Sequence, residues 1–136
     1  MKSSVRYTKN AIESCFEGLD SVIFAYLFGS RADNTAGPSS DIDIAVYLKE
    51  EGIDFIEEKL RIIGRLTEQL QTDAIDVVLL NTAPISLLGR ILAKREVLVD
   101  REPFRRHVFE SLALRQYMDF SIKETTNLQE RFGLGR

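Results

Sequence analysis

A glycine-serine pair that follows an apolar run constrains this chain more than any other feature. Residues 22–28 are β-branched and aromatic, which predicts a buried strand that ends at Gly29-Ser30. Glycine permits a sharp turn and a close approach to the backbone, so the amides freed there, beside the Ser30 hydroxyl, suit phosphate oxygens. The sequence therefore predicts a phosphate-binding turn at the end of a buried strand.

Two aspartates follow this turn at a short distance. Asp41 and Asp43 flank Ile42 at the start of a second strand-like run, 41–48. Side chains alternate along a strand, so both carboxylates face the same way with Cβ atoms about 7 Å apart. Such a pair suits Mg²⁺, which prefers hard oxygen ligands and bridges carboxylates to phosphates. The alternative is that both aspartates simply face solvent.

Asp76 is the one charged residue in a third strand-like run, 74–80. It either joins the other two aspartates or lies at the wet end of a strand or beside a basic neighbour. Clustered carboxylates repel by about 4 kcal/mol per pair at 4 Å and an effective dielectric near 20, so a cluster requires a cation. We therefore predict that Asp41, Asp43 and Asp76 hold a divalent metal. Arg31, after the turn, could contact phosphate or form an ion pair with one of these carboxylates.

The spacing of apolar residues predicts an α/β (α+β) fold in which a mixed sheet is flanked by helices. The polar loop at 32–40 is too short for a helical crossover, so the first two strands should be antiparallel. The predicted strands are 22–28, 41–48, 74–80 and 96–100, and the predicted helices lie near 8–17, around 56–70, after Pro84, and from Pro103 to about Asn127.

Two of these helices have apolar faces that we expect to pack on the core. For the long helix after the second strand the residues are Ile56, Leu60, Ile63, Leu66 and Leu70, with Glu57, Glu58, Lys59, Arg61 and Glu68 in solvent. For the last helix they are Phe104, Val108, Leu112, Leu114, Tyr117, Met118 and Ile122. Any of the latter left uncovered would form a partner-binding stripe, so the helix at 102–131 is a candidate partner contact.

Length and composition limit the function. The 136 residues predict a single domain, 1–136, and the formal net charge of −3 argues against nucleic-acid binding as the main role. The single Cys15 is expected to be a packed core thiol, and we find no membrane span, so the expected location is cytoplasmic. The one histidine, His107, is expected on a helix surface. Arg101, Arg105 and Arg106 predict a solvated basic patch or, alternatively, a contact with a partner or nucleotide.

The motifs at Gly29-Ser30, Asp41-Ile42-Asp43 and Ile75-Asp76-Val77-Val78 together resemble the signature of the DNA polymerase β nucleotidyltransferase superfamily. The segment from Asp76 to Pro84 and the short chain resemble minimal nucleotidyltransferases of the MntA type, the antitoxins of HepT-type toxins. The similarity runs from about Val22 to Asp100. One departure is Asp33-Asn34, where such proteins commonly have a basic residue.

The resemblance implies a polymerase-β-like fold and an activity. It implies Mg²⁺-dependent transfer of AMP from ATP to a tyrosine hydroxyl of a HepT-like toxin, which silences that toxin. Gly29 and Ser30 would bind phosphates, with Arg31 beside them. Asp41 and Asp43 would hold one metal ion, and Asp76 would help to hold a second and accept the proton of the attacking hydroxyl. The alternatives are an antitoxin that acts by occlusion without catalysis, and an acceptor that is a small hydroxylated molecule such as an aminoglycoside.

Overall fold

A computed structural model describes residues 8–29 and 41–132, the last five of these as helix backbone only. Within these ranges the elements follow the predicted order. They are α1 (Lys9–Ser14), β1 (Val22–Phe28), β2 (Ile42–Leu48), α2 (Phe55–Leu70), β3 (Ile75–Leu79), α3 (Ile85–Ala93), β4 (Arg95–Asp100) and α4 (Pro103–Phe132). Helix α1 is shorter than predicted, and turns continue to Gly18, whose φ is +85°. The predicted loop at 32–40 lies outside the described residues.

The four strands form one mixed sheet in the order β3-β2-β1-β4. Strand β1 pairs antiparallel with both β2 and β4, whereas β2 and β3 are parallel and are joined through α2. The Asn81 side chain extends this parallel pairing, because its amide accepts a bond from the Leu48 N–H at 2.9 Å and donates one to the Leu48 carbonyl at 3.0 Å. The predicted mixed sheet with an antiparallel first pair is confirmed.

Helices cover both faces of the sheet, because side chains of β2 alternate between two apolar clusters. Ile44 and Val46 pack on the side of α1 and α2, where Cys15 is a buried core thiol as predicted. Ala45 and Tyr47 pack on the side of α3 and α4. A residue of β2 that is an even number of positions from Ala45 or Tyr47 in the sequence pattern of alternating faces, such as Asp43, therefore lies on the α3/α4 side of the sheet.

The predicted core face of α2 is confirmed in part. Leu66 and Leu70 are buried and Ile63 packs against the core, but Ile56 and Leu60 are exposed and Ile62 is buried in their place. Glu58 is not in solvent either, because its carboxylate accepts a hydrogen bond from the Ser21 hydroxyl at 2.6 Å. At 100° per residue the apolar side chains of α2 span an arc of about 160°, and Ile56 and Leu60 lie at the edge of this arc that turns away from the sheet. Periodicity located the arc but did not fix which part of it faces the sheet.

The core face of α4 was predicted wrongly. The side that packs on α3 and the sheet carries Phe109, Ala113 and Tyr117, and Gly89 lies so close to the Tyr117 ring that a Cβ atom would overlap it. The predicted core residues other than Tyr117 are exposed, namely Phe104, Val108, Leu112, Leu114, Met118 and Ile122. Helix α4 is apolar on two opposite sides, and the structure covers one of them. His107 is exposed, as predicted.

The arginines at the start of α4 do not form one solvated patch. Arg101 donates to the carbonyls of Phe16, Leu19 and Val22 at 2.6–2.9 Å, so it ties the end of β4 to the turn before β1. Arg106 pairs with Asp100 at 3.0 Å. Arg105 stays at the surface, with Glu102 at 3.6 Å and the Tyr47 ring beneath it.

Glu110 is the centre of a partly buried ionic network that joins α4 to the sheet. Its carboxylate accepts hydrogen bonds from the Tyr26 hydroxyl at 2.6 Å and Arg106 at 2.9 Å, and Arg95 lies 3.1 Å away. Burial raises the pKa of Glu110, but these donors and cations outweigh that effect and hold it below its ordinary value. Burial and the bond to Glu110 raise the pKa of Tyr26, so it remains a donor.

We expect Glu110→Gln to lower the free energy of unfolding at pH 7 by about 2 kcal/mol, because the half-buried Arg95 loses the carboxylate that it pairs with and Arg106 loses one of its two, keeping Asp100. A depressed carboxyl pKa stabilises the fold fully above the unfolded pKa, about 4.3, and this contribution is lost as the pH falls through the folded value. The difference between variant and wild type should therefore shrink in urea titrations repeated below pH 4.

The control is Glu102→Gln, which removes an exposed ion pair and should cost at most about 0.5 kcal/mol. Equal losses from the two substitutions would show that the Glu110 network contributes no special stability.

Along the described ranges, no helix combines the length and hydropathy required to cross a bilayer.

Candidate active site

Gly29 ends β1 in a conformation that favours glycine. Its φ is +78°, in the left-handed region. A Cβ atom at this position would lie 2.5 Å from Oδ2 of Asp43, well inside van der Waals contact. The close approach follows from the register, which pairs Phe28, the residue before Gly29, with Asp43. The absence of a side chain at Gly29 thus makes room for the Asp43 carboxylate against the backbone.

Asp43 and Asp76 are register partners on the parallel strands β2 and β3. Paired residues project from the same face, and neighbouring strands lie about 4.8 Å apart, so the two side chains leave the sheet side by side. Both lie on the α3/α4 side, in line with Ala45 and Val78. Asp43 is half-buried and Asp76 is exposed on the edge strand. The structure thus brings together two of the three predicted carboxylates.

Asp41 directly precedes β2 and is exposed. Extended backbone would direct it to the same side as Asp43, two residues later. Ser30 and Arg31, the other two predicted phosphate contacts, lie outside the described residues, as does the Asp33-Asn34 pair. Gly29 is the described part of the predicted phosphate turn, and it lies beside Asp43.

Within residues 8–29 and 41–132, no group of three or more histidine, cysteine or acidic side chains is arranged to hold a metal ion. Two features of the site nevertheless suit Mg²⁺. Its donors are hard carboxylate oxygens on rigid strands, and the space beside Asp43 is one that a Cβ atom at Gly29 would fill. The residues present therefore fit a magnesium ion.

The sequence patterns identified the acidic residues but not the close approach of Gly29 to Asp43. The pairing of Phe28 with Asp43 sets Gly29 against the carboxylate. The only sequence signal for this contact was the end of an apolar run at glycine, which fixes the turn but not the strand opposite. The Glu110 network was also missed, because its members are far apart in the chain.

A family model described as "Polymerase beta, Nucleotidyltransferase" matches residues 10–104. This range includes every predicted site residue and ends at the first turn of α4. A comparison with curated protein sequences finds no match.

Solved toxin–antitoxin structures resemble the fold over most of the chain. One, a toxin–antitoxin with AMP-PNP, is 22% identical at a TM-score of 0.74 and covers 90% of this chain and 97% of that chain. Another, the tri-AMPylated Shewanella oneidensis HEPN toxin in complex with MNT antitoxin, is 20% identical at 0.68 and covers 90% and 98%. A third, the MntA-HepT toxin–antitoxin, is 21% identical at 0.67 and covers 90% and 94%. At these identities the likeness shows a shared fold.

Proposed function

Since this chain belongs to the polymerase β nucleotidyltransferase family, we propose that it transfers AMP from ATP to a tyrosine hydroxyl of a HepT-like toxin and acts as its antitoxin. The observation that carries this proposal is the pairing of Asp43 with Asp76 beside Gly29. The solved structures that resemble the fold support it, since one is a complex with an ATP analogue and another contains an AMPylated toxin. We also propose that the protein acts in the cytoplasm, where ATP is available.

Each side chain has a role in this reaction. The Gly29 amide and the Ser30 hydroxyl would hold the β- and γ-phosphates of ATP, with Arg31 contacting phosphate or a neighbouring carboxylate. Asp41 and Asp43 would hold one Mg²⁺, and Asp76 would help to hold a second. When bound, Mg²⁺ supplies positive charge that offsets the charge on the triphosphate and the leaving pyrophosphate.

The reaction is an in-line substitution at the α-phosphorus. The tyrosine oxygen forms a new P–O bond as the bond to pyrophosphate breaks, and Asp76 takes the hydroxyl proton. Because no covalent enzyme intermediate is needed, the chain contributes mainly by positioning and by its charge. The edge position of β3 leaves Asp76 exposed, and an incoming tyrosine needs such access.

The direct test is to incubate the purified chain with ATP labelled at the α-phosphate, Mg²⁺ and the HepT-like toxin. Label should appear on the toxin, peptide mass spectrometry should locate AMP on tyrosine, and EDTA should prevent the reaction. Label on an aminoglycoside but not on the toxin would show that the acceptor is a small hydroxylated molecule and not the toxin. Absence of transfer to any acceptor would refute the proposal.

Occlusion without catalysis is a second candidate, and the exposed apolar side of α4 favours it. The two candidates differ in their need for nucleotide. An occluding antitoxin neutralises the toxin without ATP and in proportion to its concentration, whereas an adenylyltransferase needs ATP and leaves a toxin that stays inactive after the antitoxin is removed.

A further inference from the structure

Helix α4 carries an apolar surface, interrupted by Arg115 and Asp119, on the side that faces away from the domain. We call it the outer stripe, and it consists of Phe104, Val108, Leu112, Met118 and Ile122, all exposed. At 100° per residue these side chains fall within an arc of about 120°, roughly opposite Ala113, and they span about 27 Å of helix. The stripe is therefore separate from the residues that pack α4 on α3.

The apolar residues of the outer stripe are highly exposed to solvent. Phe104 is 83% exposed, and Met118 and Ile122 are each 63% exposed. A helix that is apolar on both sides usually packs on both sides. In addition, every described side chain from Met118 to Asn127 is exposed, so this part of α4 projects from the domain. A projecting helix of this length is marginal in water unless something packs on it.

Charges beside the outer stripe indicate the chemistry of its partner. Arg115 lies within the arc, and with His107 it lines a shallow depression along the stripe. Arg105 and Lys123 lie along one border, where Arg105 pairs with Glu102 at 3.6 Å, and Asp119 lies within the arc. Three cations, Arg105, Arg115 and Lys123, thus stand against two carboxylates, so this surface carries a small excess of positive charge on a chain whose net charge is −3. A complementary surface is apolar with acidic side chains around it.

The direction of α4 relates the outer stripe to the candidate active site. Arg106 contacts Asp100 at one end of β4, and Glu110 contacts Arg95 at the other end. Arg95 is in turn the register partner of Phe28, which precedes Gly29. Helix α4 thus runs towards the end of the sheet that holds Gly29 and Asp43, and so does a partner lying along it.

We propose that the outer stripe docks the toxin, which contributes an apolar surface bordered by acidic side chains. The identity of the partner rests on the proposed function, whereas the location of the surface rests on α4. Docking there holds the acceptor along the helix that leads to the acidic end of the sheet.

The test is isothermal titration of the full chain with the purified HepT-like toxin. Met118→Asp should raise the Kd about thirtyfold, as expected when a charge replaces an apolar anchor of an interface. The matched control is Leu60→Asp, since Leu60 on α2 is 62% exposed against 63% for Met118, and its Kd should stay within about threefold of wild type. Arg115→Glu should weaken binding and flatten its salt dependence. Because all three positions are exposed, thermal unfolding should show that each variant folds.

Other outcomes separate this inference from the proposed function. Asp43→Asn should bind the toxin as tightly as wild type, and wild type that binds but transfers no AMP would refute the function while leaving the docking surface intact. Unchanged toxin affinity in Met118→Asp would overturn the docking surface, as would a wild-type chain that does not bind the toxin. A dimer that Met118→Asp dissociates without changing toxin affinity would assign the stripe to self-association instead.

Discussion

Asp43→Asn should lower the rate of AMP transfer about 10³-fold, the scale expected when a charged group of a preorganised site is lost. Asparagine keeps the shape of aspartate but removes the negative charge, so it weakens the hold on Mg²⁺ beside Gly29. Asp43 is half-buried between its register partners Phe28 and Asp76, whereas Asp41 and Asp76 are exposed. Single-turnover transfer of labelled AMP to the toxin measures the effect.

The matched control is Asp20→Asn, an identical change at an exposed position before β1, at the opposite end of that strand from Gly29. It should transfer AMP at the wild-type rate. Transfer by Asp43→Asn within tenfold of wild type would contradict the assigned site. Protection of cells by Asp43→Asn equal to that by wild type would show that the antitoxin effect is occlusion, even if transfer is lost.

Gly29→Ala should lower AMP transfer about 100-fold, because a displacement of about 1 Å in a reacting site has an effect of this size. The added Cβ atom would lie 2.5 Å from Asp43 Oδ2, and the carboxylate, as the end of a side chain, is the group that can move. The same substitution also puts alanine in a left-handed conformation, which costs about 1–2 kcal/mol of stability.

Gly52→Ala separates these two effects. Gly52 has a φ of +71°, close to the +78° of Gly29, but a Cβ atom there has no neighbour within 4 Å. Both variants should lose similar stability in thermal unfolding, and only Gly29→Ala should lose activity. Wild-type transfer by Gly29→Ala would show that the contact with Asp43 does not position the carboxylate, and equal losses of activity would attribute the effect to backbone strain.

Local sequence patterns were sufficient to predict a feature that lies within one strand or one turn. The apolar run that ends at Gly29 and the alternation that begins at Asp41 gave β1, β2 and their antiparallel pairing. These signals depend on the two-residue period of a strand and on the short connection, so they do not require knowledge of distant residues. The order of the remaining elements followed in the same way from apolar spacing.

Patterns identified the apolar residues of the helices but not which of them face the core, because the apolar residues of a helix can span a wide arc, as in α2, or two sides, as in α4. Ile56 and Leu60 seemed as suitable for the core as Leu66, and Met118 seemed as suitable as Ala113. Which side is buried depends on where the sheet and the neighbouring helix lie. The prediction of a solvated basic patch at Arg101, Arg105 and Arg106 was wrong for the same reason, since Asp100 and Glu110 pair with Arg106 only once α4 lies along β4.

The sequence by itself determined the chemistry available to this protein, namely a glycine turn and aspartates at strand positions, together with a mixed sheet to carry them. Tertiary structure alone decided that Asp43 lies beside Asp76 on the neighbouring parallel strand and that Gly29 makes room for the Asp43 carboxylate. It also decided that one apolar side of α4 is exposed to solvent. The physical reason is that periodicity fixes the face of a strand or helix relative to its own axis. The register between strands and the rotation of a helix against the sheet depend on packing between residues far apart in the chain.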